Sequence, residues 1–227
     1  PAAGAGRTGR TWPRILDLFR TVGLKFEHAI TEAPGHAIEL AKAAVSRGCE
    51  TIVSVGGDGT VNEVVNGLYQ SDGMEGTALG IISTGTGSDY IRTLGVPRDY
   101  RDACARLAES QKVAVDVGMV SWGDGDGAGR RLFANFAGFG FDAEIVRRTT
   151  QQFKALGSLP SYLAGTLATL ATYRNKHVAL TLDGREMERR VCTVVMNNGR
   201  YGGGGMNTAP AADIRDGLLD VLIVGDV

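Results

Sequence analysis

The sequence predicts an α/β protein with an N-terminal domain on a parallel sheet, followed by a mainly antiparallel β domain. Three observations carry this. In the first half, short apolar strands alternate with amphipathic helices, the pattern of a parallel sheet. Two of those strands, Thr51-Ile-Val-Ser-Val55 and Ala78-Leu-Gly-Ile-Ile82, run into glycine-rich loops that open helices. From about Trp122 onward, strand-like runs are separated mostly by turns. The expected domains are residues 1–121 and 122–227.

The elements follow in order. Pro1 to Gly9 is a glycine loop, and Trp12 to Val22 carries Ile15, Leu16, Leu18 and Phe19 on one helical face. Leu24 to Ile30 reads as a strand ended by Thr31. Pro34 starts a helix over His36 to Arg47 that Gly48 terminates. After the strand at Thr51, apolar Val61, Val64, Val65 and Leu68 recur at helical spacing. A short helix through Leu94 follows the second glycine loop, then a helix over Tyr100 to Ser110 and a strand over Lys112 to Val120. Asp116 falls inside that apolar run, where a carboxylate needs a partner. Asp124-Gly-Asp-Gly127 lacks the later ligands of a calcium loop and reads as a hairpin turn. Leu132 to Phe141, Val178 to Leu182, Val191 to Asn197 and Leu218 to Val224 are the strands of the second domain.

Composition narrows the classes. Hydrophobic residues make up 43% and charged residues 22%, ordinary for a globular chain. Lys and Arg number 24 against 25 Asp and Glu, for a net charge of −1, so no global basic field argues for nucleic acid. Three scattered cysteines, Cys49, Cys104 and Cys192, suggest reduced thiols in a cytoplasmic protein. No run is long and apolar enough to span a bilayer. Residues 155–173 carry no charge and are flanked by Lys154, Arg174 and Lys176. They read either as a core-facing helix or as an acyl-pocket wall or bilayer-docking surface. Both ends read as cut, with a first strand expected before Pro1 and further sequence expected after Val227.

The chemistry centres on Ser54-Val-Gly-Gly-Asp-Gly-Thr-Val-Asn-Glu-Val-Val-Asn-Gly67. A glycine turn from strand end to helix N-terminus aims backbone N–H groups at a phosphate. Asp58 is anomalous there, because a carboxylate repels a phosphate unless a cation intervenes or the acid handles a proton. The loop Ser83 to Asp89 repeats the arrangement and also ends on an acid. In a parallel sheet both loops face the crevice beyond the strands' carboxyl ends. Gly4-Ala-Gly-Arg-Thr-Gly9 formally matches the dinucleotide fingerprint, with Glu27 as a ribose acid, but no strand precedes it in this sequence.

The run GGDGTVNEVVNG resembles the signature of diacylglycerol and sphingosine kinase-type lipid kinases, whose catalytic fold is similar to that of NAD kinases and phosphofructokinases. A second block, Met196 through Gly-Gly-Gly-Gly-Met206 to Ala209-Pro-Ala-Ala and Asp216-Gly-Leu-Leu-Asp220, resembles the same family, and Pro1 to Gly4 resemble the tail of its first loop. The second glycine loop follows the family's P-x-G-T-x-N-D, except that Ser83 and Ser88 stand where Pro and Asn are usual.

The resemblance implies a lipid kinase that transfers the ATP γ-phosphoryl group to a lipid hydroxyl, such as that of diacylglycerol, in a Mg2+-dependent reaction. It implies that Thr31, Gly56, Gly57, Asp58, Gly59, Thr60, Val61, Asn62, Gly85 and Thr86 contact ATP. Asp58, Asp89 and Asp116 would organise catalytic magnesium and water, Asp142 would approach the lipid head group, and Asp213, Asp216 and the Leu218 carbonyl would hold a structural magnesium. The family's general base falls beyond Val227. A cytoplasmic enzyme with peripheral membrane contact is implied, and homodimer formation is left open. The alternatives are an NAD kinase-like enzyme, an NAD-dependent oxidoreductase and a non-catalytic lipid-binding protein.

Overall fold

Strand β1 (Thr51–Gly56) pairs in parallel with β2 (Ala78–Ser83), in register from Thr51 with Ala78 to Gly56 with Ser83. Both strands therefore end side by side, and both glycine loops start from that common edge. The computed structural model describes Gly4, Thr169 and residues 6–109, 112–141, 143–145 and 172–225. Its chain divides into two compact units, residues 1–135 with 198–218, and residues 136–197 with 219–227.

In the first unit, helices α1 (Arg7–Thr21), α2 (His36–Ser46), α3 (Asp58–Gln70), α4 (Tyr90–Leu94) and α5 (Tyr100–Glu109) surround the parallel pair. The apolar spacing of α3 divides between two cores. Val61 and Val65 pack with Ile81, Tyr90, Ile91 and Leu132, while Val64 and Leu68 pack with Ala37 and Ala41 of α2. A third cluster joins Ile15 and Phe19 of α1 to Ile82, Ala103 and Cys104. The same unit holds the antiparallel hairpin of β3 (Gly118–Trp122) and β4 (Gly129–Phe133), turned at 123–128 as the Asp-Gly pattern predicts.

The second unit is antiparallel. Strands β5 (Phe136–Gly140), β8 (Thr193–Asn197) and β11 (Asp220–Val224) form a sheet of order β11-β8-β5, and β6 (Lys176–Leu182) pairs with β7 (Arg185–Val191). The short pair β9 (Tyr201–Gly202) and β10 (Met206–Asn207) belongs to the first unit. The uncharged stretch 155–173 lies almost wholly outside the described residues, and no helix among those described is long and apolar enough to cross a membrane.

Three expectations are corrected. Leu24 to Ile30 forms no ladder among the described residues. It is instead held on α1 by rings, Phe26 against Phe19 at 5.2 Å and His28 against Trp12 at 5.4 Å. The strand expected from Lys112 begins only at Gly118, so Asp116 precedes it. The single run from Leu132 to Phe141 breaks at Ala134 and Asn135, because side chains capture their backbone: Ala134 N–H donates to Asn62 Oδ1, and the Ala134 carbonyl accepts from Asn198 Nδ2.

Gly67 is the tight point between α2 and α3. Glycine inside a helix ordinarily costs about 1 kcal/mol relative to alanine. A Cβ here would stand 2.6 Å from the Ile38 carbonyl oxygen and 2.7 Å from Ala41 Cβ. Gly67→Ala is therefore expected to destabilise, by roughly 1–3 kcal/mol, in urea unfolding; a gain in stability would contradict this packing.

Candidate active site

The two glycine loops touch. The Thr84 N–H donates to the Gly56 carbonyl at 2.8 Å, and a Cβ on Gly85 would lie 2.5 Å from Gly57 Cα. Only residues without side chains allow this approach. A third turn joins them, since the Thr8 and Thr84 hydroxyls hydrogen-bond at 2.5 Å and a Cβ on Gly4 would strike the Thr84 carbonyl oxygen. The Gly4–Gly9 stretch that mimics a dinucleotide fingerprint is thus the entry to α1: Gly6 is its N-cap and Gly9 lies inside it.

Asp58 closes the junction. Its Oδ2 accepts from Asp89 N–H at 3.1 Å and its Oδ1 from Tyr90 N–H at 3.2 Å. The acid's negative charge is directed at the amides that open α4, which removes the anomaly of a carboxylate in a phosphate loop. The N-terminus of α3 has no side-chain cap, and a Cβ on Gly59 would meet nothing within 4 Å. That leaves an open, amide-rich turn beside exposed Thr86, fit for a phosphate group.

Asp89 is buried. Its Oδ2 accepts from Gly204 N–H at 2.8 Å, while Oδ1 has no hydrogen-bond partner and lies 3.8 Å from Arg92 Nε. A Cβ on Gly87 would sit 3.4 Å from Asp58 Oδ2 and 3.6 Å from Asp89 Oδ2, so the two carboxylates frame one glycine. One amide and one guanidinium thus hold the Asp89 carboxylate.

Asp116 has the partner that its apolar setting demands. Its Oδ2 accepts from Gly217 N–H at 2.8 Å, and its backbone pairs with the Ile214 carbonyl and Asn198 Nδ2. It therefore anchors the turn containing Asp213, Asp216 and Leu218. Within that turn Asp213 Oδ1 accepts from Arg215 N–H and Asp216 Oδ1 from Leu218 N–H. Among the described residues no group of three or more His, Cys, Asp or Glu could hold a metal. The turn closes through its own hydrogen bonds.

The remaining predicted residues divide. Thr31 and Thr60 both border the space between residues 25–31 and the edge of β1. The Val61 side chain is core, and its N–H is taken by the Gly57 carbonyl. Asn62 Oδ1 accepts from the Ala134 N–H at 3.3 Å. Asp142 lies outside the described residues. Four residues outside the predicted site shape it: Asn66 bridges both backbone groups of Leu132, Asn198 ties Asp116 to Ala134, Gly204 holds Asp89, and Glu63 reaches α2. Glu63 and Asn66 stand inside the glycine motif itself, so their position was the available signal.

Comparison with known proteins agrees with this geometry. Residues 1–120 match the diacylglycerol kinase catalytic domain, and residues 135–227 match the YegS C-terminal NAD kinase beta sandwich-like domain. The chain is 30% identical over 226 residues to the diacylglycerol kinase of Bacillus subtilis, covering 99% of this chain and 71% of that protein. It is 29% identical over 220 residues to a probable lipid kinase YegS-like protein of Citrobacter koseri, covering 97% and 71%. A crystal structure of a diacylglycerol kinase from Bacillus anthracis superposes with a TM-score of 0.72 at 30% identity, covering 99% of this chain and 71% of that one.

Burial and then the Asp116 carboxylate push the Tyr90 phenol up from 10.0 to about 12. The fold thus favours the neutral phenol, and this stability is complete below pH 10 and lost as pH rises toward 12. Chemical denaturation from pH 9 to 12 should show Tyr90→Phe losing less stability than the parent, by on the order of 2–3 kcal/mol at the alkaline end. Parallel losses in the two proteins would contradict it.

Proposed function

The chain belongs to the diacylglycerol kinase catalytic-domain family of lipid kinases, and from that premise we propose that it transfers the γ-phosphoryl group of ATP to the hydroxyl of diacylglycerol. The single observation that carries the nucleotide half of this reading is the contact of Gly57 with Gly85 under the Asp58 clamp, at an uncapped helix N-terminus. Phosphoryl transfer requires positioning and charge neutralisation more than covalent chemistry. The open amides at Asp58 and Gly59, with Gly56, Gly57, Gly85 and Thr86, would cradle phosphates, and Thr31 and Thr60 would line the remainder of the nucleotide. Asp89, with Asp116 behind it, would hold magnesium and its water, which neutralise phosphate charge when bound. Asp58 acts through the alignment of the loops.

Residues 1–121, with the excursion over 198–218, form the nucleotide side of this proposal, and the β-rich remainder the lipid side. Asp142 stays assigned to the lipid, and a cation at Asp213, Asp216 and Leu218 stays a proposal, on the strength of the family resemblance alone. Work at a membrane surface follows from the acceptor's chemistry. The oxidoreductase reading rests on a fingerprint whose glycines open a helix, and no observation favours it.

Purified protein should label diacylglycerol in mixed vesicles when supplied with γ-labelled ATP and Mg2+. Sphingosine-like bases, other lipid alcohols and NAD serve as competing acceptors. Label appearing on NAD and on no lipid would overturn the assignment in favour of an NAD kinase-like enzyme. Asp58→Ala should retain its circular dichroism and lose about a hundredfold in kcat/KM, since misplacement by ~1 Å costs that much; near-parent turnover would remove the clamp from the mechanism.

A further inference from the structure

We propose that Glu63 is a positioning residue of the nucleotide site, one that sets ATP affinity by fixing the Thr31 loop against α3. This inference rests on the reading of the site as ATP-binding. Gly35, the N-cap of α2, takes left-handed φ of 85° and offers no side-chain cap. The amides at this helix start are capped instead from α3: Gly35 N–H donates to Glu63 Oε1 at 2.9 Å and Ala37 N–H to Glu63 Oε2 at 3.2 Å. Both carboxylate oxygens are engaged, in a part-buried setting, across 28 and 26 residues of sequence.

The far end of the loop is pinned too. Glu32 N–H donates to His36 Nδ1 at 3.1 Å, and Thr31 immediately precedes it. Thr60 and Glu63 are three residues apart on α3, nearly one helical turn. One turn of α3 therefore carries Thr60 and holds the loop that carries Thr31, and the two threonines border the same space beside β1. A local Ser or Asp at the N-cap would cap α2 equally well. A cap supplied from the helix of the glycine motif also fixes where Thr31 stands relative to Thr60.

The test compares the parent chain with Glu63→Ala and Glu63→Gln, using calorimetric titration with ATP and Mg2+ and steady-state kinetics on diacylglycerol vesicles. Glu63→Ala should raise Kd and KM for ATP about tenfold, the effect of losing a charge-assisted pair. Glu63→Gln, which keeps one acceptor, should fall between. KM for the lipid should stay unchanged, kcat should stay within about twofold, and residues 31–37 should exchange hydrogen faster. Glu39→Gln, which removes an exposed acid from the first turn of the same helix, should leave all of these unchanged. Parent-like ATP affinity in both Glu63 variants overturns the proposal, as does an equal loss for ATP and lipid. If Glu63→Ala does not fold, Glu63→Gln decides. A parent protein that binds ATP yet phosphorylates no lipid overturns the kinase assignment and leaves the affinity comparison to judge Glu63. A parent that does not bind ATP overturns both.

Discussion

One carboxylate holds the site together. Asp58 stands at the first residue of α3, and both its oxygens accept amide protons from the start of α4. Charge-assisted bonds of this kind are about twice as strong as neutral ones. They act here between two loops that meet glycine to glycine, where no side chain could interpose. The register of β1 with β2 brings the loops to one edge, but it is the carboxylate that orients them toward each other. The acidic residue and the anion-binding amides are compatible because its charge is already directed at protein donors.

The helix that carries Asp58 extends this principle along its length. Five residues further on, Glu63 grips the start of α2; Asn62 and Asn66 meanwhile take the backbone of Ala134 and Leu132 near the end of the β3–β4 hairpin. The apolar residues between them divide their burial between two core clusters. Polar and apolar positions of α3 thus index three separate segments of chain to a single rod. Asp116 does the same from the other side, tying the turn at Gly217 and accepting, through its backbone carbonyl, the amide of Asn198.

Much of this was legible in the amino-acid order. Gly-Gly-Asp-Gly between an apolar β-branched run and a period-3.6 helix specifies a strand, a turn and an anion-facing helix start. The parallel pairing of β1 and β2, the antiparallel second unit and the hairpin at Asp124 to Gly127 follow from patterning alone. The long-range partners were not legible. Nothing in the spacing of Asn198 tells that it will break a strand at Ala134, or that Gly204 will reach Asp89, because those bonds depend on how distant segments fold together. Leu24 to Ile30 has strand composition but forms no ladder among the described residues, and its Phe26 and His28 rings rest on Phe19 and Trp12 of α1. Val61 and Asn62 belong to the same continuous motif, and the helix turns the Val61 side chain into the core and Asn62 Oδ1 toward Ala134.

The two departures from the family pattern in the second glycine loop face each other. Ser83 Oγ and Ser88 Oγ lie 2.6 Å apart, both buried, and Ser88 also donates to the Gly85 carbonyl from a left-handed backbone with φ of 56°. The Ser88 hydroxyl has one proton for two acceptors, the Gly85 carbonyl and Ser83 Oγ, and the bond between the two serines can run in either direction. Substituting Ser88 with a residue lacking a hydroxyl would strand the Ser83 oxygen out of reach of water. The two positions are therefore energetically coupled: their substitutions will not add, and exchanging both together is an easier path than exchanging either one first.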